Sequence, residues 1–442
     1  MKKAILLFSM IFALIILSGC SITAVDELYS LPKTSEQYLQ LEELALHEKA
    51  LGFDYSAPIS GNYRQSILLS DLDNDGQDEA LAFFRDSEQT LKICIYSHGN
   101  SEDFELVSTI DGEGTSIRRV DFADMDGDGR PELLVLWQIS ADIRVLNVYS
   151  LDGWNASELL SVSNCTEFRF ADMDGDSCSD LMVLNFSATE QGSLSLYKLS
   201  RDREIIPSVA KLSPGITSLV RLRAGSIGKN VTAIFAEGVM EDGTYITDIF
   251  IDRGGELVSL TADKLTGVSS ARRSYEVYSA DIDNDKYLEV PFTVRLYSQT
   301  EGFAGYQRFD WYSYDEYGNS TMDISTYHCY SDDWYIILPN DIRENLTLRR
   351  EDRVTGERVV VFSVYDQQED SVTDLMIIYK LTGDNRHDRA KLENRFVLLE
   401  NYTSIYAAEI LYDGSGDIAP FTSEDVKKNF SLIYMEWNVG AL

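Results

Sequence analysis

Four copies of one acidic loop recur along a 442-residue chain: Asp71-Leu-Asp73-Asn-Asp75-Gly76-Gln77-Asp78-Glu79, Asp124-Met-Asp126-Gly-Asp128-Gly129-Arg130-Pro-Glu132, Asp172-Met-Asp174-Gly-Asp176-Ser177-Cys178-Ser-Asp180 and Asp281-Ile-Asp283-Asn-Asp285-Lys286-Tyr287-Leu-Glu289. Each copy places carboxylates at loop positions 1, 3, 5 and 9. A hard cation such as Ca2+ takes six to eight oxygens at about 2.3–2.6 Å, and acids on alternate residues of a tight loop turn their oxygens toward one point. The pattern therefore predicts structural Ca2+, with two to four sites.

An EF-hand shares the DxDxDG opening but needs a bidentate Glu at position 12 and a helix on either side. Position 12 here is Ala82, Val135, Val183 or Phe292, inside apolar runs of strand composition: 80–84, 133–137, 181–184 and 290–294. The loops thus sit between strands. Their first acids are Asp71, Asp124, Asp172 and Asp281: the first two gaps are nearly equal and the third is about double, which places a copy without ligands near Gly225. Tyr96, Tyr149, Tyr197 and Phe250 lie at one constant offset beyond Asp71, Asp124, Asp172 and Gly225, and each ends a strand-like stretch. A period of about 50 residues with about four short strands per repeat is the mark of a β-propeller blade.

In these loops the chain resembles the FG-GAP or VCBS repeats of integrin-α-like propellers, over roughly residues 60–315. The resemblance implies that the acids at positions 1, 3, 5 and 9 bind Ca2+ with the carbonyl of residue 7. The implied ligands are Asp71, Asp73, Asp75, Gln77 and Glu79 in the first loop and Asp124, Asp126, Asp128, Arg130 and Glu132 in the second. They are Asp172, Asp174, Asp176, Cys178 and Asp180 in the third, and Asp281, Asp283, Asp285, Tyr287 and Glu289 in the fourth. Position 6 calls for a left-handed residue, which Gly76 and Gly129 supply; Ser177 and Lys286 would each cost about 1 kcal/mol or more there. The first two loops are accordingly expected to bind best.

The N-terminus sets the expected compartment. Met1-Lys2-Lys3 and the apolar stretch 4–16 are too short for an ordinary membrane span, and Leu17-Ser18-Gly19-Cys20 follows at once. This resembles a bacterial lipobox, which implies cleavage of residues 1–19, lipidation of Cys20 and attachment to the cell membrane facing outside the cytoplasm. Residues 20–33 read as a tether. Thr34-Ser-Glu-Gln37 reads as a capping box for an adapter helix within 34–54, with Leu41, Leu44 and Leu51 on its apolar face.

Removing residues 1–19 takes away two lysines and no acids, so the formal charge goes from −35 to −37. Such a surface excludes nucleic acid as a partner. Cys94, Cys165, Cys178 and Cys329 form no CxxC pair, and with four scattered histidines they make no zinc motif.

From residue 55 to the end the period gives about seven blades, with six plus a C-terminal appendage as the alternative. Thr422-Ser-Glu-Asp425 would open a short helix there. Residues 303–335 hold eleven aromatics, and the aromatic strand end falls later after Asp281 than in the other repeats, which predicts an insertion in that blade. Trp311, Tyr312, Tyr314, Tyr317 and Trp334 are candidates for a stacking surface that takes a sugar or a protein partner.

No catalytic motif is present: no GxSxG, HExxH or P-loop occurs. The expectation is an all-β, lipid-anchored and monomeric propeller. It would act as a non-enzymatic binding or scaffolding module for a protein or glycan at the cell surface. A propeller hydrolase or lyase acting on polysaccharide and a structural part of an envelope assembly complex are the alternatives.

Overall fold

The computed structural model describes residues 36–98, 103–187, 190–199, 205–297, 305–392, 394–412 and 422–433. The expected signal peptide, Cys20, the tether and the Thr34 cap lie outside them. Among the described residues no helix is long and apolar enough to cross a membrane. The described residues divide into two compact units, one made of those up to Ala57 with 65–71 and those from Asp75 to Gly112, and the other of 58–64, 72–74 and those from Glu113 onward.

The first unit holds one helix and blade 1. Glu36–Ala50 forms the expected helix, and its Leu41 and Ala45 are buried against Ala80, Ala82, Phe84, Cys94 and Tyr96. Glu48 is buried beneath them and takes a 2.8 Å ion pair from Lys92. Leu44 is half-buried, but Leu51 is 61% exposed. The helix stops at Ala50, and the turn through Gly52, at φ 96°, carries Leu51 away from the apolar face that Ala45 fills instead. Blade 1 consists of Ile67–Ser70, Glu79–Asp86, Leu91–Ser97 and Glu105–Asp111 in antiparallel order, with Phe53–Tyr55 added beside Glu79–Asp86.

The second unit holds five more sheets. Blade 2 is Ser116–Ala123, Glu132–Gln138, Arg144–Ser150 and Ser157–Ser163, and blade 3 is Glu167–Ala171, Asp180–Ser187, Glu190–Leu199 and Ile205–Lys211. Both are consecutive antiparallel meanders. Blade 4 opens with Ile216–Gly228, Val231–Met240 and Tyr245–Asp252. Blade 5 has Val290–Arg295, Gln307–Tyr314, Ser320–Cys329 and Trp334–Leu338, and blade 6 is built on Leu346–Arg350, Glu357–Asp366, Ser371–Thr382 and Ser404–Ile410. Apolar side chains of blades 2 and 3 share one core, those of 3 and 4 a second, those of 4 and 5 a third, and those of 5 and 6 a fourth. Burial on both faces explains why 133–137 and 181–184 read as unbroken apolar runs rather than alternating ones. Repeated four-stranded meanders stacked through their faces are β-propeller blades.

The described residues form six sheets, the smaller of the two counts the period allowed. The length assigned to a seventh goes into longer strands and extra segments. The blade 4 strand Ile216–Gly228 is 13 residues long, and residues 260–289 add only the short strand Arg272–Arg273 to that sheet. In the fifth blade the strand that ends at Arg295 and the one that begins at Gln307 lie further apart in the chain than the corresponding strands of blades 1 to 3. The expected short helix is Ser423–Asn429, closed by a capping box between Thr422 and Asp425, and it delivers Phe430–Leu432 to the outer edge of blade 5.

The aromatic segment corrects an expectation. Trp311, Tyr314 and Trp334 are 0%, 4% and 1% exposed, so they offer no face to a ligand. Trp311 donates its indole N–H to Thr326 Oγ1 at 2.7 Å, and Trp334 packs against Phe362 and Phe430 in the core between blades 5 and 6. Large rings fill wide inter-blade gaps, and burying each is worth several kcal/mol relative to a cavity. His328 is stacked among these rings, and burial pushes its imidazole down to about 3. Tyr312 is half-buried against Phe292; Tyr317 alone of the five is well exposed, in a turn.

Candidate metal centres

Loops 1 to 3 each join the first strand of a blade to the second, and loop 4 leads into the first strand of blade 5. Loop 1 runs from Ser70 to Glu79, loop 2 from Ala123 to Glu132 and loop 3 from Ala171 to Asp180. Loop 4 is closed by an Ala280–Glu289 bridge. In blade 4 the expected ligand-free copy is a tight turn instead, with Gly228 paired to Val231 and Asn230 at φ 60°. Gly225 is required for another reason. A Cβ there would meet Leu288 Cδ1, from loop 4, at 2.2 Å.

The four loops share one backbone. Position 6 is left-handed in all, at φ 90°, 85°, 71° and 81° for Gly76, Gly129, Ser177 and Lys286. Position 4 is left-handed too, in Asn74, Gly127, Gly175 and Asn284, which the sequence reading missed although only Asn and Gly occur there. The position 6 N–H donates to the first Asp in every loop: Gly76 to Asp71, Gly129 to Asp124, Ser177 to Asp172 and Lys286 to Asp281, at 3.0–3.1 Å. The position 7 N–H donates to the fifth-position Asp, from Gln77, Arg130, Cys178 and Tyr287 to Asp75, Asp128, Asp176 and Asp285, each at 2.8 Å. Leu72, Met125, Met173 and Ile282 at position 2 are buried and anchor the loop to the core.

Carboxylates converge accordingly. Asp71, Asp73 and Glu79 bring one oxygen each within 4.8 Å of the others, as do Asp124, Asp126 and Glu132, then Asp172, Asp174 and Asp180. In the fourth loop the converging set is Asp281, Asp283 and Asp285. The ninth-position acids Glu79, Glu132, Asp180 and Glu289 are all buried. Met125, Met173 and Ile282 donate their N–H to Glu132, Asp180 and Glu289 at 2.9–3.0 Å. Burial, reinforced by the neighbouring loop acids, pushes Glu132 up to about 7, Asp180 to about 6 and Glu289 to about 8. An acidic cluster held this closely lacks positive charge.

Two loops differ in how that charge is met. Asp281 Oδ1 in loop 4 is buried with no hydrogen-bond partner. In loop 3, Lys198 Nζ lies 2.5 Å from Asp174 Oδ2 and also binds Asp252 of blade 4. Burial would raise Asp174, but the Lys198 ammonium holds it below the usual carboxylate range. Loops 2 and 3 also touch: Ser179 N–H donates to the Asp124 carbonyl at 2.8 Å, and a Cβ on Gly127 would meet Cys178 Sγ at 2.8 Å. Cys94, Cys165, Cys178 and Cys329 are free thiols.

Residues 56–135 match the FG-GAP-like repeat. That span contains loops 1 and 2, and the sheets it folds into are propeller blades. No curated relative matches the chain. Among solved structures, a putative 6-phosphogluconolactonase from Bacteroides fragilis is 13% identical over 73% of this chain and 92% of its own, with a TM-score of 0.28. The β-propeller domain of the Trilobed protease from Pyrococcus furiosus is 10% identical over 80% and 100%, with a TM-score of 0.27. AofleA from Arthrobotrys oligospora is 9% identical over 75% and 85%, with a TM-score of 0.26. Likeness at this level says nothing of activity.

Proposed function

We propose that the chain is a Ca2+-stabilised β-propeller, anchored to the cell membrane through lipid on Cys20 and displayed outside the cytoplasm as a binding or scaffolding module for a protein or glycan. The observation that carries the metal reading is Asp281 Oδ1, a carboxylate oxygen buried without a donor at the centre of an acidic loop. A buried ionised oxygen is costly unless paired, and a cation among Asp281, Asp283 and Asp285 would pair it. The donor set is all oxygen, which suits Ca2+ rather than zinc or copper.

Asp71, Asp73 and Glu79 would hold a cation in loop 1, and Asp124, Asp126 and Glu132 in loop 2. The carbonyls of Gln77, Arg130 and Tyr287 and the acids Asp75, Asp128 and Glu289 would complete the shells in their loops. Bound Ca2+ supplies two positive charges per loop and links the first two strands of a repeat, a structural role. The blades themselves would present the binding surface through their connecting loops.

Calcium uptake by the purified full-length chain, followed by equilibrium dialysis, tests the metal reading. Uptake of several equivalents is expected, with two lost in Asp73→Ala plus Asp126→Ala; no uptake at millimolar Ca2+ rejects it. For the anchor, cells fed an alkyne-tagged fatty acid are expected to label the protein, and Cys20→Ser to abolish the label. Equal labelling of both would place the lipid elsewhere.

A further inference from the structure

The four loops have one backbone but not one electrostatic environment. The residue that follows the aromatic strand end is Ser97 in blade 1 and Ser150 in blade 2, whereas in blade 3 it is Lys198. Ser97 Oγ donates to Glu79, the ninth-position acid of its loop, at 3.2 Å. Lys198 reaches further and places its ammonium on Asp174, one of the three converging acids of loop 3. The other side of that ammonium is gripped by Asp252, whose side chain is 0% exposed and whose second oxygen accepts from Gly255 N–H at 2.8 Å. Asp252 ends the third strand of blade 4, the blade whose own loop has shrunk to a tight turn.

Lys198 is therefore held from both sides. Swinging it away from Asp174 would still leave it bound to Asp252, and withdrawing it altogether would strand a buried carboxylate. A divalent ion entering loop 3 has to share Asp174 with a fixed ammonium a few ångströms away, which repels it. In loop 4, by contrast, no group donates to Asp281 Oδ1, and the Arg223 guanidinium acts on Asp281 through charge alone.

We propose that Lys198 is the built-in counter-ion of loop 3, so that this loop is stabilised by the protein's own ammonium while loops 1, 2 and 4 take Ca2+. The inference rests on the calcium reading of the other loops. It separates two loops that the sixth position treats alike, because Ser177 and Lys286 bear the same left-handed strain but only the loop of Lys286 gains a cation.

The test is Ca2+ stoichiometry by equilibrium dialysis of the full chain and three variants. Three tight equivalents are expected in the wild type, and three again in Asp174→Asn, whereas Asp126→Asn drops to two. Lys198→Met combined with Asp252→Asn keeps the aliphatic stem, leaves no stranded charge, and is expected to gain a fourth tight equivalent. Four equivalents in the wild type falling to three in Asp174→Asn would overturn the lysine assignment while leaving the calcium reading intact. No Ca2+ in any of these proteins would instead remove the calcium reading itself. Because Asp174→Asn leaves the Lys198–Asp252 pair in place, the result does not hang on the double variant folding.

Discussion

Excess EGTA is expected to lower the melting temperature of the full chain by on the order of 10 °C relative to the same protein in excess Ca2+. A ligand at about 100 times its dissociation constant stabilises the state that binds it by about 2.7 kcal/mol per site, so three sites give roughly 8 kcal/mol. Unfolding entropy of about 2 cal/mol/K per residue converts that into roughly 10 °C for a propeller of this length. The metal term is large because the metal-free loops are self-repelling: in loop 2, Asp124, Asp126, Asp128 and buried Glu132 crowd one short turn. Asp124→Ala removes both a converging oxygen and the acceptor for Gly129 N–H, and it is expected to abolish about a third of the Ca2+-dependent shift. Scanning calorimetry of both proteins with and without EGTA measures this. An identical melting temperature in Ca2+ and EGTA would show that the loops are held by their backbone hydrogen bonds alone.

Much of this arrangement is written locally. Acids at positions 1, 3, 5 and 9 and strand runs on either side suffice to place all four loops, because so short a turn is closed by its own backbone and side chains. The constant offset to Tyr96, Tyr149, Tyr197 and Phe250 marks one strand of each repeat, and all four lie in the strand paired with the loop's second strand, including the copy without ligands. The helix start at Thr422 is legible for the same reason: Thr422 and Asp425, which cap it, are near neighbours in the chain.

What escaped the sequence depends on the neighbouring blade. Whether Trp334 faces solvent or a packed sheet is decided by Phe362 of blade 6 and by Phe430, and composition alone could not distinguish a ring in the core from a ring in a binding surface. The Lys198–Asp252 pair spans 54 residues, and only the stacking of blade 3 on blade 4 brings it together. A signal was present: a lysine stands where the first two repeats have serine. The period left both six and seven blades open because dividing length by period assumes that every residue belongs to a repeat. Residues 260–289 largely run outside the strands, and one of them, Arg273, is the next place where the fold is exposed to a single change.

Arg273→Met is expected to destabilise the chain by about 3–5 kcal/mol, because it leaves Glu237 buried and uncompensated. Arg273 and Glu237 are 3% and 0% exposed and form a 3.0 Å ion pair beneath blade 4. The guanidinium also donates to Thr247 Oγ1 at 2.8 Å and to the Val277 carbonyl. Glu237 accepts in turn from Ser279 N–H and Oγ–H at 2.8 and 2.9 Å, just before Asp281 in the chain. The pair thus clamps the entrance to loop 4. Arg221, at 3.9 Å from the other Glu237 oxygen, remains in the variant and keeps the loss toward the lower figure. Adding Glu237→Gln to Arg273→Met removes the stranded charge while keeping an acceptor for Ser279, so the double variant is expected to recover part of the loss, the non-additivity of directly paired residues. Urea unfolding of the single and double variants reads this, and a single-variant loss below about 1 kcal/mol would mean that Arg273 is not the main partner of Glu237. If Ser279 positions the fourth loop as the geometry indicates, Arg273→Met also weakens one Ca2+ equivalent without touching a ligand. Such a loss would tie the stability of blade 4, which has no acidic loop of its own, to the cation proposed for blade 5.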